Sequence, residues 1–376
     1  MKSAYLDNAA TTLNKPVSVR RAVCRAIGQY SSPGRGGYPS AMAAAELCYA
    51  CRLKAASLFH AEAPENVVFT MNATHGLNIA IKSLVKRGMR VAVSGYEHNA
   101  VMRPLRKLGA EVNILRTPLF DQAAAVRSFD EALEEGCELV VCCHVSNVFG
   151  FVLPVEKIAA LCRVRGVPFI LDASQSAGAV TVNMNALDAA YIAMPGHKGL
   201  YGPQGTGLLL CSQVPEPLME GGTGSNSASD VMPDFLPDAA EAGTHNMPGI
   251  AGLDAGLAFV AGQGTERILA HERRLIASAA EELRRMGGLR VFCAEEGSAQ
   301  AGVLSFIPEA MPSEMFAEEL SRRGVSVRAG LHCAPEAHRT AGTIGTGTVR
   351  LSVSAMTTEA DIGLFLRAVS EVFKKK

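Results

Sequence analysis

Lys198 has the setting with the most chemical potential in this sequence. It follows Gly196-His197 at the end of the apolar run AAYIAM (189–194) and leads into the Gly-rich stretch GLYGPQGTG (199–207). Taken alone, it reads equally well as a surface loop lysine. Withdrawn from water, a lysine loses its charge and can form a Schiff base with a carbonyl cofactor. Such a cofactor needs an acid opposite its pyridine nitrogen, so that the ring drains electrons from a substrate's α-carbon. Asp172 ends the neighbouring apolar run PFIL (168–171) and is suited to that place, although it also reads as a helix cap in DASQS. A phosphate needs donors. Ala73-Thr74-His75-Gly76 lies where a strand turns into a helix, so its N–H groups and the Thr74 hydroxyl form an anion site without an arginine. A plain N-cap is the competing reading of Thr74. His197 adds a hydrogen bond. His98 stands at another strand end, placed to stack on a ring, though a lone histidine is more often structural. Together these residues describe a site for pyridoxal 5′-phosphate.

Such residues need a scaffold that gathers them. Apolar runs recur and stop at polar or Gly-rich clusters: VVFT before Met71-Asn72, RVAVSG before Tyr96-Glu97-His98-Asn99, ELVVCCHV before Ser146-Asn147, PFIL before Asp172, and AAYIAM before Pro195. Alternation of such runs with helical patterns predicts an α/β fold with a mostly parallel sheet covered on both faces. Ligands of these sheets bind beyond the carboxyl ends of the strands, so the polar clusters should converge. After about residue 250 the pattern changes to a long helix (Ile268 to Met286) and shorter elements. The expected division is a large domain over 16–250 and a smaller α+β domain from 1–15 and 251–376.

Bulk properties narrow the function classes. The 376 residues carry 36 basic and 36 acidic side chains and show no basic stripe, which argues against nucleic-acid binding. No apolar run approaches a membrane span, and Asp7-Asn8 come too early for a signal peptide, so a cytoplasmic protein without membrane association is expected. Lys374-Lys375-Lys376 reads as a solvated end. The ten cysteines form no framework. Cys48 and Cys51 have redox spacing but sit in a helical pattern, and Cys142-Cys143-His144 on one strand cannot converge on a zinc ion. Buried free thiols and no metal are expected.

The order of the motifs resembles class V, fold-type I enzymes of the cysteine desulfurase and selenocysteine lyase family. The resemblance rests on YLDNAATT (5–12), PGRGGYPS (33–40), NATHGLNIAIK (72–82), EHNAVMRPL (97–105), VSNVFG (145–150), DASQSAG (172–178), GHKGLYGPQGTG (196–207), EAGTHN (241–246) and RAGLHCAP (328–335). It implies Lys198 as Schiff-base lysine and proton shuttle, Asp172 on the pyridinium and His98 over the ring. Gln175 and Asn147 would lie near the phenolic oxygen, and Ala73, Thr74, His75 and His197 near the phosphate. Thr244 would reach the cofactor of a neighbouring subunit, implying a homodimer with shared sites. Arg350 would grip the substrate carboxylate, with Asn8, Ala10 and Asn147 lining the substrate site. Pro195, His75 and the stretch LSVSAMTT after Arg350 depart from the Suf-type branch, which the short segment between Cys333 and Arg350 otherwise resembles.

Cys333 selects among the reactions of such a cofactor. RAGLHCAPEAH is a Gly- and Pro-punctuated loop, so the thiol should be accessible, with Arg328 and His332 near it to favour thiolate. In the resembling family this cysteine takes the sulfur of L-cysteine as a persulfide and releases alanine, for transfer to an acceptor protein. Selenocysteine lyase, another lyase or aminotransferase of this fold, and a non-catalytic sulfur carrier are the competing readings.

Overall fold

Runs such as Leu139–Cys143 bury all five of their side chains, a pattern satisfied by a strand covered on both faces. The computed structural model describes residues 3–34 and 36–374. Arg35 of the PGRGGYPS motif and the terminal Lys375-Lys376 lie outside the described residues. The chain opens with β1 (Ala4–Tyr5), α1 (Val17–Gln29) and α2 (Pro39–Phe59). Strands β2 (Val67–Thr70), β3 (Arg90–Ser94), β4 (Glu111–Leu115), β5 (Leu139–Cys143), β6 (Phe169–Asp172), β7 (Tyr191–Pro195) and β8 (Gly207–Cys211) follow. Helices α3 (Ala73–Leu84), α4 (Asn99–Leu108), α5 (Gln122–Glu134), α6 (Val155–Val164) and the short α7 (Met184–Leu187) alternate with them.

These seven strands form one sheet in the order β2-β8-β7-β6-β5-β3-β4, in which β8 runs antiparallel to both neighbours and the other pairs are parallel. Its two faces belong to different cores. Val140, Cys142, Leu171 and Ile192 face one, and Leu139, Val141, Ile170 and Tyr191 face the other, as the two-residue period of a strand requires. Strand order reverses between β3 and β5, which opens the ligand crevice at their carboxyl ends. Gly178 closes the loop after β6 against the one after β7. It has φ +92°, and a Cβ there would lie 2.1 Å from the Gly199 carbonyl oxygen.

The remaining chain forms α8 (Met247–Gln263), α9 (Thr265–Met286), β9 (Leu289–Phe292), β10 (Val303–Pro308), α10 (Ser313–Arg322), β11 (Val325–Ser326), β12 (Arg328–Gly330), α11 (Pro335–Thr340), β13 (Thr348–Ser352) and α12 (Glu359–Lys374). A second, antiparallel sheet has the order β12-β13-β10-β9, and β1 pairs with β11 beside it. The division expected at residue 250 falls inside α8, which packs on α1 and α2 beside the large sheet. Among the described residues, no helix is long and apolar enough to cross a membrane.

Two buried carboxyls brace the sheet. Glu241 binds Arg52 of α2 through both oxygens, at 2.8 and 2.6 Å, and accepts the Phe69 N–H of β2 at 2.5 Å. Burial pushes its pKa up, but Arg52 and His245 outweigh burial and hold it below the ordinary value. The other is Glu97, fully buried beyond β3. Its Oε1 accepts the Ser94 hydroxyl at 2.5 Å and the Cys143 N–H at 2.8 Å, while Oε2 has no partner. Cys143 pairs with Asp172 across the ladder, so Glu97 supports the strand ends that carry the site.

Removing either carboxyl gives a measurable result. Glu241→Ala leaves Arg52 buried without its partner and should lower stability by about 3–5 kcal/mol, seen as a lower urea midpoint. Glu97 behaves differently, because burial raises its pKa from 4.5 to about 8. Below the unfolded value both states are protonated, and burial then carries no ionisation penalty. As pH rises toward the folded value the unfolded chain ionises first, so stability falls by about 1.4 kcal/mol per pH unit. Glu97→Gln removes this loss: its melting temperature should match wild type near the unfolded pKa and exceed it near the folded one. The same pH dependence in both proteins would show that the fold does not raise the Glu97 pKa.

Candidate active site

The strand ends converge as the pattern of the sequence predicts. One cavity is lined by Ala73 and Thr74 after β2, His98 after β3, Asn147 after β5, Asp172 at the end of β6 with Gln175 beyond it, and His197 and Lys198 after β7. Lys198 is half-buried. Burial lowers its pKa to about 8 against the opposing pull of Asp172, with Arg350 adding to the lowering. An amine so placed loses its proton far more easily than a surface lysine and is a stronger nucleophile at neutral pH. Asp172 Oδ1 accepts the Ser174 N–H at 2.9 Å, so the carboxylate has the local turn role and still lines the cavity.

His98 is the N-cap of α4: its Nδ1 accepts the Ala100 N–H at 3.0 Å. That bond assigns the proton of the neutral ring to Nε2. Burial lowers the His98 pKa, Asp172 opposes, and Lys198 adds to the lowering, which favours the neutral ring. His197 is pushed down to about 4 by burial and by Lys198 and Lys15, and its Nδ1 is buried without a partner. At the start of α3 the cap is Asn72, whose Oδ1 accepts the His75 N–H at 2.9 Å. Thr74 is therefore not the N-cap, and it faces the cavity beside Ala73. Gln175 Nε2 donates to the Ala9 carbonyl at 2.9 Å.

Several expected residues lie elsewhere. His75 lines a separate cleft with Thr244; its ring Nδ1 accepts the Met71 N–H at 3.2 Å and its own N–H is taken by Asn72. Helical geometry explains this: one residue beyond Thr74, the side chain points off by about 100°. Ala10 does not line the Lys198 cavity, and the contact to Gln175 comes from Ala9 instead. Asn8 lines a small adjoining cavity that also touches Lys198.

Arg350 is 2% exposed, which excludes a surface role. Its Nη1 donates to the Asn147 carbonyl at 3.0 Å and its Nη2 to Asp7 Oδ1 at 2.8 Å, while Nε is buried without a partner. Cys333 is exposed on the loop between β12 and α11. His332 and Cys333 are successive left-handed residues, φ 50° and 57°, a conformation that costs about 1–3 kcal/mol each and persists only when its surroundings impose it. Here Asn147 Nδ2 donates to the His332 carbonyl at 2.8 Å, and the Asn99 N–H donates to the Cys333 carbonyl at 2.8 Å. The Cys333 loop is thus tied to two residues that follow β5 and β3, Asn147 in the cavity lining and Asn99 between the lining residues His98 and Ala100. The expected cationic support for a thiolate is not present in the form the sequence suggested. Burial, Arg350 and His338 keep the His332 ring well below its ordinary pKa, hence neutral, and Arg328 is engaged by Asp7 at 2.9 Å.

Two contributors escaped the sequence reading. Glu97 precedes His98 in the polar cluster that ends the run RVAVSG, and its complete burial is visible only in the fold. Asp7 sits in YLDNAATT but is brought to Arg350 from 343 positions away. In neither case does local pattern carry a signal beyond the motif itself.

The geometry can be set beside known proteins. The family model for Aminotransferase class-V matches residues 4–365. The chain is 33% identical to the probable cysteine desulfurase of Methanothermobacter thermautotrophicus, over 98% of this chain and 94% of the relative. It is 30% identical to the cysteine desulfurase of Synechococcus elongatus, again over 98% of this chain but over 60% of that longer protein. The apo structure of cysteine desulfurase from Thermococcus onnurineus NA1 superimposes with TM-score 0.89 at 29% identity, covering 100% of this chain and 95% of that one. A cysteine desulfurase from Escherichia coli gives 0.87 at 26% identity, covering 99% and 95%. A model match over nearly the whole length, agreeing with the α/β fold and the placement of the strand-end residues, makes this chain a member of the aminotransferase class-V family.

Proposed function

We propose that the chain is a pyridoxal-phosphate-dependent cysteine desulfurase, taking L-cysteine to L-alanine and leaving its sulfur on Cys333. The observation that carries this reading is the exposed Cys333 thiol on a loop held to Asn147 of the Lys198 cavity and to Asn99 beside it. An idle loop cysteine has no need of two such fixed contacts.

The residues present fit the cofactor that the family implies. Lys198 supplies a readily deprotonated amine for its aldehyde, Asp172 a buried carboxylate for its ring nitrogen, and His98 a neutral imidazole at the cavity wall. The unpartnered Nδ1 of His197 and the start of α3 at Ala73-Thr74 suit its phosphate. When bound, the cofactor supplies the electron sink that makes the substrate's α-carbon acidic. Lys198, as a free amine, would take the substrate's α-proton on Nζ. The Cys333 thiolate would attack the substrate sulfur: one S–S bond forms and one Cβ–S bond breaks. Protons returned to the carbon skeleton complete alanine, and a reducing thiol frees the sulfur as sulfide. Arg350 would hold the carboxylate, with its Nε and the remaining Nη protons unengaged.

Thr244 lies in a separate cleft, which suits the shared site of a homodimer in which it serves the cofactor of the other subunit. The division into a larger and a smaller domain, and an acceptor protein for the persulfide, belong to the same proposal. Selenocysteine lyase is the nearest competing activity, since a pocket rejects a near-isostere weakly unless built to do so.

Wild type and Cys333→Ala, given L-cysteine and a reducing thiol, should differ sharply. Wild type should release alanine and sulfide in equal amounts; the variant should lose both by at least a hundredfold and keep the yellow colour of bound cofactor. Full activity in the variant, or keto acid in place of alanine, would mean a different lyase or a transferase. Lys198→Ala should lose the covalent cofactor absorbance, and a colour indifferent to that change would remove Lys198 from its role.

A further inference from the structure

Asp7 connects two arginines that come from neighbouring strands of the second sheet. Its Oδ1 accepts from Arg350 Nη2 at 2.8 Å, and its Oδ2 accepts from Arg328 Nε at 3.0 Å and Nη2 at 2.9 Å. Arg328 and Arg350 are register partners in the β12–β13 ladder, so their side chains leave the same face together. Asp7 is 8% exposed and Arg350 2%, whereas the Arg328 side chain is 52% exposed. The group therefore consists of one buried ion pair with a second cation at its solvent edge. Its net charge is one positive.

A buried guanidinium ordinarily satisfies its donors, and this one does not. Of its five N–H groups, one on Nη1 is taken by the Asn147 carbonyl and one on Nη2 by Asp7, while Nε is buried with no partner. A carboxylate bridging Nε and the spare Nη2 hydrogen makes the side-on bidentate pair that arginine favours. Asn147 also lines the Lys198 cavity, so the guanidinium that donates to its carbonyl lies directly behind that wall with its Nε edge unpaired.

We propose that Asp7 is a specificity-determining residue: it clamps Arg350 through one oxygen and Arg328 through the other, leaving a site with one net positive charge and one open guanidinium edge that accepts a single carboxylate. Amino acids with one carboxylate match this charge; those with a second carboxylate meet Asp7 across a short distance and have no free cation left to pair with. The inference rests on the function proposed above, since it takes Arg350 as the carboxylate partner of the substrate. Asp7 acts through the arginines, so its part is one of positioning and charge balance.

Binding of L-alanine and L-aspartate to the holoenzyme, followed through the change in cofactor absorbance, separates the possibilities without relying on desulfurase turnover. Wild type should prefer L-alanine. Asp7→Asn, nearly the same shape without the charge, should reduce that preference by about tenfold, mainly through tighter L-aspartate binding. Arg328→Gln, at an exposed side chain that the fold tolerates, should weaken both ligands at least threefold and keep the preference. Its result stands even if Asp7→Asn fails to fold. An unchanged preference in a folded Asp7→Asn protein, equal weakening of both ligands by it, or wild-type affinities in Arg328→Gln would each overturn the proposal. Wild type that binds neither amino acid would overturn it too. Failure to make alanine from L-cysteine, with the binding preferences as expected, would instead overturn the reaction assigned above and leave the carboxylate site intact.

Discussion

Drawing one lysine partly out of water is the constraint on which the rest of this structure depends. With its pKa lowered to about 8, Lys198 is a free amine in about one molecule in ten at neutral pH, against about one in three thousand for an unperturbed lysine. That gain requires burial without a tight ion pair, because a carboxylate in contact would restore the ammonium. The protein meets this condition by spacing its charges. Asp172 is near enough to raise the pKa in part, and Arg350 lowers it again. Every histidine that lines the cavity is pushed toward neutrality by burial, so none adds a competing proton.

The parallel sheet is what makes such spacing possible. Each strand delivers one short polar segment to the same edge, and adjacent strands set the lateral separation. Cys143 of β5, Asp172 of β6 and Ala193 of β7 lie in register, which brings the Asp172 carboxylate toward the chain that continues to Lys198. Glu97 holds the Cys143 N–H and so supports that rung from beneath. The second sheet contributes from a different direction. β13 carries Arg350, the neighbouring β12 leads into the Cys333 loop, and the Asn147 side chain and carbonyl reach both. Asn147 is thus the junction between the two sheets and the site, a role that requires both of its amide functions at once.

Much of this was legible in the sequence because burial on both faces leaves a continuous apolar run, and the residue ending that run must sit at the sheet edge. Lys198, Asp172, His98 and Asn147 were found that way and lie together. Motif reading was weakest where direction matters more than position. His75 follows Thr74 directly yet faces another cleft, since one step along a helix re-aims a side chain; Gln175 is met by the backbone carbonyl of Ala9, which Ala10 does not replace. Contacts across hundreds of residues were invisible for a different reason. Nothing near Asp7 announces Arg350, and nothing near His332 announces the burial that keeps its ring neutral. The expected boundary at residue 250 failed to coincide with an element end because Gly- and Ala-rich helices such as α8, buried on several sides, carry little of the periodicity that marks helix limits.

Burial also decides which of the ten thiols can do chemistry. Cys143 lines the Lys198 cavity and would seem the nearer nucleophile, yet it lies fully enclosed, its pKa driven far up by burial and by Glu97. Cys142, Cys51 and Cys211 are silenced by burial in the same way. A thiol inside the cavity would add to the cofactor's aldehyde or to the substrate; kept protonated, it cannot. In the proposed reaction the sulfur-bearing cysteine must also be reached by an acceptor, which excludes every buried cysteine. Cys333 answers both demands: it is outside the cavity, open to solvent, and held by a strained backbone whose two carbonyl contacts leave the thiol little freedom to wander. The cost of two left-handed residues is what a fixed yet exposed nucleophile requires.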